Sequence, residues 1–207
     1  LSSKSQSYTT VLNTMDLRIQ GNVAVVTGGA SGIGWACAKA FAQEGCAVAL
    51  WDLASNTEEQ AQHLANTGIL TLGCRVDICD GTALRTALQQ TESVLGAISH
   101  LVHAAAIGSG KFGFPFTNLQ PADWLKVLEV NVMGMVHVAH TVAPRMRARQ
   151  NGSIVFIGSV AGQIGSQTDP PYSASKAASI NFAQCMAKDL APDNVRVNVV
   201  NPGMVQT

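Results

Sequence analysis

An apolar pentapeptide, Val23-Ala24-Val25-Val26-Thr27, runs into Gly28-Gly29-Ala30-Ser31-Gly32-Ile33-Gly34, and the residues beyond carry helical spacing. Over 33–44, Ile33, Ala36, Cys37, Ala40 and Phe41 share one stripe, so the order is strand, tight turn, helix. The alternation recurs, with strands predicted at 47–51, 69–76, 98–103, 153–157 and 195–200. Helices are predicted at 57–66, 81–95, 122–146 and 171–190, the third opening near Pro121-Ala122-Asp123, where proline suits a first turn. Strands separated by whole helices call for a parallel sheet covered on both faces. Right-handed crossovers arrange them 3-2-1-4-5-6, which makes an α/β, doubly wound, Rossmann-type domain. In this reading 15–207 is one domain, Met15 would be a natural start, and the polar 1–14 segment is a flexible extension.

Composition narrows the function classes. Apolar residues make up 47% of the 207, enough for one sizeable core, and thirteen basic side chains balance thirteen acidic ones. Without a charge run there is no electrostatic case for nucleic acid or an anionic membrane. The five cysteines lack paired Cys-x-x-Cys spacing and read as reduced, mostly buried thiols, with no metal expected. A cytoplasmic protein follows, because residues 1–14 lack the apolar run of a secretory signal and the longest apolar stretch, 130–144, is interrupted by Asn131, His137 and His140. The 122–146 helix is apolar on more than one face and the 172–190 helix is poor in charge, so both are expected to pack on a second subunit; coverage within one chain is the alternative.

Glycines between a strand and a helix let the backbone approach a pyrophosphate, although Gly28, Gly32 and Gly34 would also serve a plain strand-to-helix connection. Asp52 ends the second strand, where a carboxylate would bind the adenosine ribose hydroxyls and repel a 2′-phosphate. With the uncharged Ser31 in the turn, this favours NAD over NADP. Read from position alone, Asp52 fits an N-cap equally well. Asp77, after the third strand, suits the adenine amine, or a turn before the helix at Gly81.

Tyr172-Ser173-Ala174-Ser175-Lys176 sets a phenol one helical turn from an ammonium. A phenol is mostly protonated at neutral pH and needs nearby positive charge to serve as a general base. With Thr27-Gly28-x-x-x-Gly32-x-Gly34, Asp77, Asn131, Ser159 and Pro202-Gly203 in order, residues 16–207 resemble the short-chain dehydrogenase/reductase family. The resemblance implies an NAD-dependent interconversion of secondary alcohols and carbonyls, in a homotetramer or homodimer built on the two long helices. By that resemblance Tyr172 is the general acid/base, Lys176 assists it and holds the nicotinamide ribose, Ser159 bonds the substrate oxygen, and Asn131 binds a relay water. Ile33, Ala104, Tyr172 itself, Pro202, Gly203, Val205 and Thr207 join the cofactor contacts, Thr207 at the carboxamide. Each residue also has a plainer reading: Ser159 a loop hydroxyl bonding its own backbone, Lys176 a solvated helix face, Tyr172 a packed ring, Asn131 a buried amide in need of partners.

Two departures stand out. His103-Ala104-Ala105-Ala106 replaces the family's Asn-Asn-Ala-Gly, and His103 reads as a buried, hydrogen-bonded histidine. The family continues past Pro202-Gly203 into a lid and a seventh strand, so a chain ending at Thr207 is expected to lack both. Phe112, Phe114, Pro115 and Phe116, in the 108–120 loop, could line a substrate pocket or anchor that loop, and Gln163 and Gln167 could be polar contacts or solvated amides. The preferred substrate is a neutral polyol, sugar or hydroxy-ketone. The alternatives are an NADPH-dependent 3-oxoacyl reductase and a non-catalytic, cofactor-binding regulatory protein.

Overall fold

A computed structural model describes residues 16–206 except Phe112 and Phe114. The 1–14 extension, those two phenylalanines and Thr207 lie outside the described residues. Six parallel strands, β1 (Val23–Thr27), β2 (Ala47–Asp52), β3 (Thr71–Arg75), β4 (Ile98–His103), β5 (Gly152–Ile157) and β6 (Val195–Val200), lie in the order 3-2-1-4-5-6. The register pairs Thr27 with Trp51 and with His103, and Trp51 with Cys74, so strand ends meet along one edge.

Strand periodicity divides the apolar residues between two layers. On one face Val26, Val48, Leu50 and Val102 pack with Ala38 and Ala42 of α1 (Gly32–Gln43) and Leu64 of α2 (Thr57–Ala65). On the other, Val25, Trp51, Leu101 and Phe156 meet α3 (Gly81–Val94), α5 (Met135–Ala148) and α7 (Pro170–Leu190). Trp51 is fully buried, and its indole N–H donates to Thr91 Oγ1 at 3.1 Å, meeting the polar need of a deep tryptophan.

Several boundaries depart from expectation. The 122–146 helix is interrupted: α4 (Pro121–Leu128) passes through a π-helical turn, Glu129–Gly134, into α5. Hydrophobic periodicity does not report a π turn, because flanking residues keep helical spacing. The third strand begins at Thr71 rather than 69, and Leu70 before it is exposed. A short helix, α6 (Ala161–Ile164), and a 3-10 turn, Phe116–Asn118, occupy expected loops. Of the cysteines only Cys46 and Cys74 are buried; all five are free, and Cys185 is exposed on α7. Leu125 and Met133, on α4 and in the π turn, are exposed at 69% and 48%. Among the described residues no helix is long and apolar enough to cross a membrane, and no cluster of three side chains could hold a metal ion.

Candidate active site

The carboxyl ends of β1, β2, β4, β5 and β6 open on a cavity of about 540 Å³. Gly28, at its floor, has φ +66, and a Cβ there would sit 2.7 Å from the Ala105 nitrogen. A Cβ on Gly34 would lie 2.0 Å from the Gly28 carbonyl oxygen, so the first turn of α1 closes on the end of β1 only without side chains. Ser31 precedes α1 without a side-chain cap, and no acidic residue lies in that first turn, which leaves the N–H groups and positive end of a twelve-residue helix facing the cavity.

Asp52 is tied down from both sides: one oxygen accepts from Ala30 N at 2.9 Å, inside the glycine turn, and the other from Ala54 N at 3.0 Å. It is not the N-cap of α2, which is Asn56. A carboxylate has about four lone-pair directions, so Asp52 keeps acceptor capacity toward the cavity it lines. Arg75 stands opposite it in β3, but its Nε–H donates to the Leu53 carbonyl at 3.2 Å. Asp77 lines the cavity and also accepts from Cys79 N at 2.8 Å, while Asp80 caps α3 through Thr82 N and Ala83 N. An orphaned helix N-terminus, a glycine cradle and two carboxylates at the strand ends are a donor and acceptor set that fits a dinucleotide.

At the other end, Lys176 is not the solvated helix face that its position alone permits. It is only 5% exposed, its Nζ donates to the Ile157 carbonyl at 2.7 Å, and it lies 5.5 Å from the Tyr172 ring centre. Burial lowers its pKa to about 8. Ser159 and Tyr172 share the cavity wall with it, and Ser159 Oγ also accepts from Ala161 N at 3.1 Å.

Asn131 lies beneath this wall, 2% exposed, in the π turn. Its Oδ1 accepts from Ile107 N at 2.8 Å, and its Nδ2 donates to the Ile107 carbonyl at 2.8 Å and to Ser175 Oγ at 2.9 Å. Both amide donors are thereby spent on protein. His103 is the buried, hydrogen-bonded histidine expected, with Nδ1 2.8 Å from Thr27 Oγ1 and its ring edge-on to Phe156. Burial, and then the charge of Lys176, push its pKa down to about 3, so the imidazole is neutral at ordinary pH.

Of the other candidates, Ser31, Ile33, Ala104, Pro202 and Gly203 also line the cavity; Val205 is exposed and does not. Trp51, Ile78 and Val130 line it without having been singled out, since apolar walls carry no signal apart from their neighbours Asp52, Asp77 and Asn131; Lys126, paired with Glu129 at 3.0 Å, lines it too. A second hollow of about 470 Å³ holds Phe116, Ile164, Gln167 and Pro170. Phe116 is 70% exposed, so it does not anchor its loop. Gln163 is exposed and lies outside that hollow.

A family model described as short chain dehydrogenase matches residues 22–207. The chain belongs to the short-chain dehydrogenase family. As such it is an oxidoreductase working between CH–OH and carbonyl groups. Cis-4-hydroxycyclohexanecarboxylate dehydrogenase of Sinomonas cyclohexanicum is 34% identical to this short-chain dehydrogenase over 185 residues, which cover 89% of this chain and 74% of the relative. NAD+-bound xylitol dehydrogenase superposes with a TM-score of 0.87 at 31% identity, covering 92% of this chain and 73% of that one. L-sorbose reductase from Gluconobacter frateurii, complexed with NADPH and L-sorbose, gives 0.86 at 33% identity, covering 93% and 73%.

Proposed function

We propose that this short-chain dehydrogenase is NAD-dependent and oxidises or reduces a neutral polyol, sugar or hydroxy-ketone, with Tyr172 as its general acid/base. The observation that carries the reading is the buried Lys176, pinned by the Ile157 carbonyl beside Tyr172 on the cavity wall that also holds Ser159. A nicotinamide nucleotide, when bound, supplies or accepts the hydride. Tyr172 takes or returns the hydroxyl proton, and Ser159 donates a hydrogen bond to the same oxygen. Lys176 favours the deprotonated phenol by its charge and would hold the nicotinamide ribose. Asn131 holds Ile107 and Ser175, so its part is to fix the wall and the helix against each other; any relay water there has the second Oδ1 lone pair or the main chain to bond. Xylitol and sorbose in the names of two similar structures support a polyhydroxylated substrate. Association through α4–α5 and α7 would cover Leu125 and Met133.

The test is a fluorescence titration with NADH and NADPH. NADH should bind more tightly, and Asp52→Ala should weaken it about 10- to 100-fold, the loss of one or two hydrogen bonds to a charged acceptor. Preference for NADPH would overturn the assignment and turn attention to Arg75, which stands next to Asp52 and would have to leave the Leu53 carbonyl. For the chemistry, Tyr172→Phe should cut turnover of any alcohol accepted by the wild type by about 10²- to 10⁴-fold while NADH affinity holds. Equal turnover by the variant would remove Tyr172 from the acid/base role.

A further inference from the structure

Asp169 lies outside the cavity wall yet joins two parts of it. One oxygen, Oδ1, accepts from Tyr172 N at 3.3 Å and caps α7; the other, Oδ2, accepts from Ser109 N at 2.9 Å, in the loop that follows β4. The approach is close enough that a Cβ on Gly108 would come within 2.9 Å of Oδ2. The same loop is held again at Gly113, whose N–H donates to the Thr168 carbonyl at 2.8 Å. From the opposite side Asn131 carries both peptide groups of Ile107 and reaches Ser175 Oγ, which donates to the Tyr172 carbonyl at 2.7 Å. The N–H of Tyr172 is therefore one side chain, Asp169, away from the stretch 107–109, and its carbonyl is two side chains away, through Ser175 and Asn131.

We propose that Asp169 is a positioning residue, one that locks the 107–109 loop onto the first turn of α7 and so sets the distance between the Ile107–Gly108 wall of the cavity and Tyr172. An ordinary N-cap needs one acceptor, which Ser supplies about as well as Asp. Only a side chain with two acceptor oxygens spans from the helix to the loop. The inference rests on the acid/base reading of Tyr172 for its catalytic consequence, but not for its structural content.

The deciding experiment uses the intact protein with Asp169→Ser, which keeps the cap and gives up the reach to Ser109, and Asp169→Ala, which loses both. Amide hydrogen exchange in the serine variant should quicken about tenfold over 107–113, the loss of one charge-assisted bond, while the first turn of α7 stays protected and Tm stays near that of the wild type. The alanine variant should lose protection in both segments. Unchanged exchange over 107–113 in the serine variant would overturn the proposal and leave Asp169 as a cap alone. NADH affinity should hold in the serine variant, while kcat on an alcohol such as xylitol, where the wild type turns it over, falls about tenfold. Tyr172→Phe is run beside it: undiminished turnover there defeats the acid/base reading, whereas the exchange result alone decides on Asp169.

Discussion

Lys176 has surroundings unlike those of a lysine on a solvated helix, and the difference has a measurable sign. Burial lowers its pKa from an ordinary 10.5 to about 8. Below pH 8 folded and unfolded chains both hold the proton, and the full cost of burying the charge is present. Between pH 8 and 10.5 the folded chain has released it and the unfolded chain has not, so stability from this group rises with pH. The shift corresponds to about 3 kcal/mol. Lys176→Met lacks this cost at every pH, so its stability relative to the wild type should fall by about 3 kcal/mol between pH 7 and 11, as measured by urea unfolding. Parallel curves would contradict the burial. Asn131, Ser159, Tyr172 and Lys176 could be read from the sequence by their order and spacing, which resemble the family's, and Tyr172 and Lys176 also by a phenol set one helical turn from an ammonium. Asp169 could not, although Asp169-Pro170-Pro171 is an N-cap followed by prolines, since nothing in that tripeptide announces a second acceptor. Nor is there a sequence signal for the saturation of the Asn131 amide, which depends on a loop twenty-four residues away.

The strand–turn–helix unit at the start of the domain tolerates little added volume. Gly34→Ala would set a methyl 2.0 Å from the Gly28 carbonyl, and because that contact is with backbone, α1 must shift. Overpacking of this kind costs about 1–3 kcal/mol, and the displaced helix N-terminus would no longer meet a phosphate. Both a lower unfolding midpoint and weaker NADH binding are expected; unaltered nucleotide affinity would show that the turn is only a connection. Regular strands and helices were readable from periodicity because each buries one face or stripe. The π turn at Glu129–Gly134 was not, since it is produced by tertiary demands: Asn131 must meet Ile107, and Gly134 must let Ile78 approach, a Cβ there lying 2.6 Å from Ile78 Cδ1.

The crevice is assembled from residues as far apart in the chain as Gly28 and Gly203, with contributions from nearly every strand. Parallel pairing makes this possible, because it sends every strand end to the same edge, and the alternation of strands and helices therefore disclosed where a site had to be before it disclosed what the site held. No single unit of the fold carries the crevice, so a ligand seated there binds the folded chain and not the unfolded one. NADH at 100 times its Kd should then raise the free energy of unfolding by about 2.7 kcal/mol, to be checked by unfolding with and without nucleotide. Failure to move the midpoint under saturation would show that the crevice survives when the rest of the fold opens. Partial opening exposes chains to proteases in proportion to the population of the open form, and that population falls about 100-fold under the same saturation. Because Gly28 and Gly203 border one crevice, the lifetime of this protein among proteases becomes a readout of the nucleotide concentration around it.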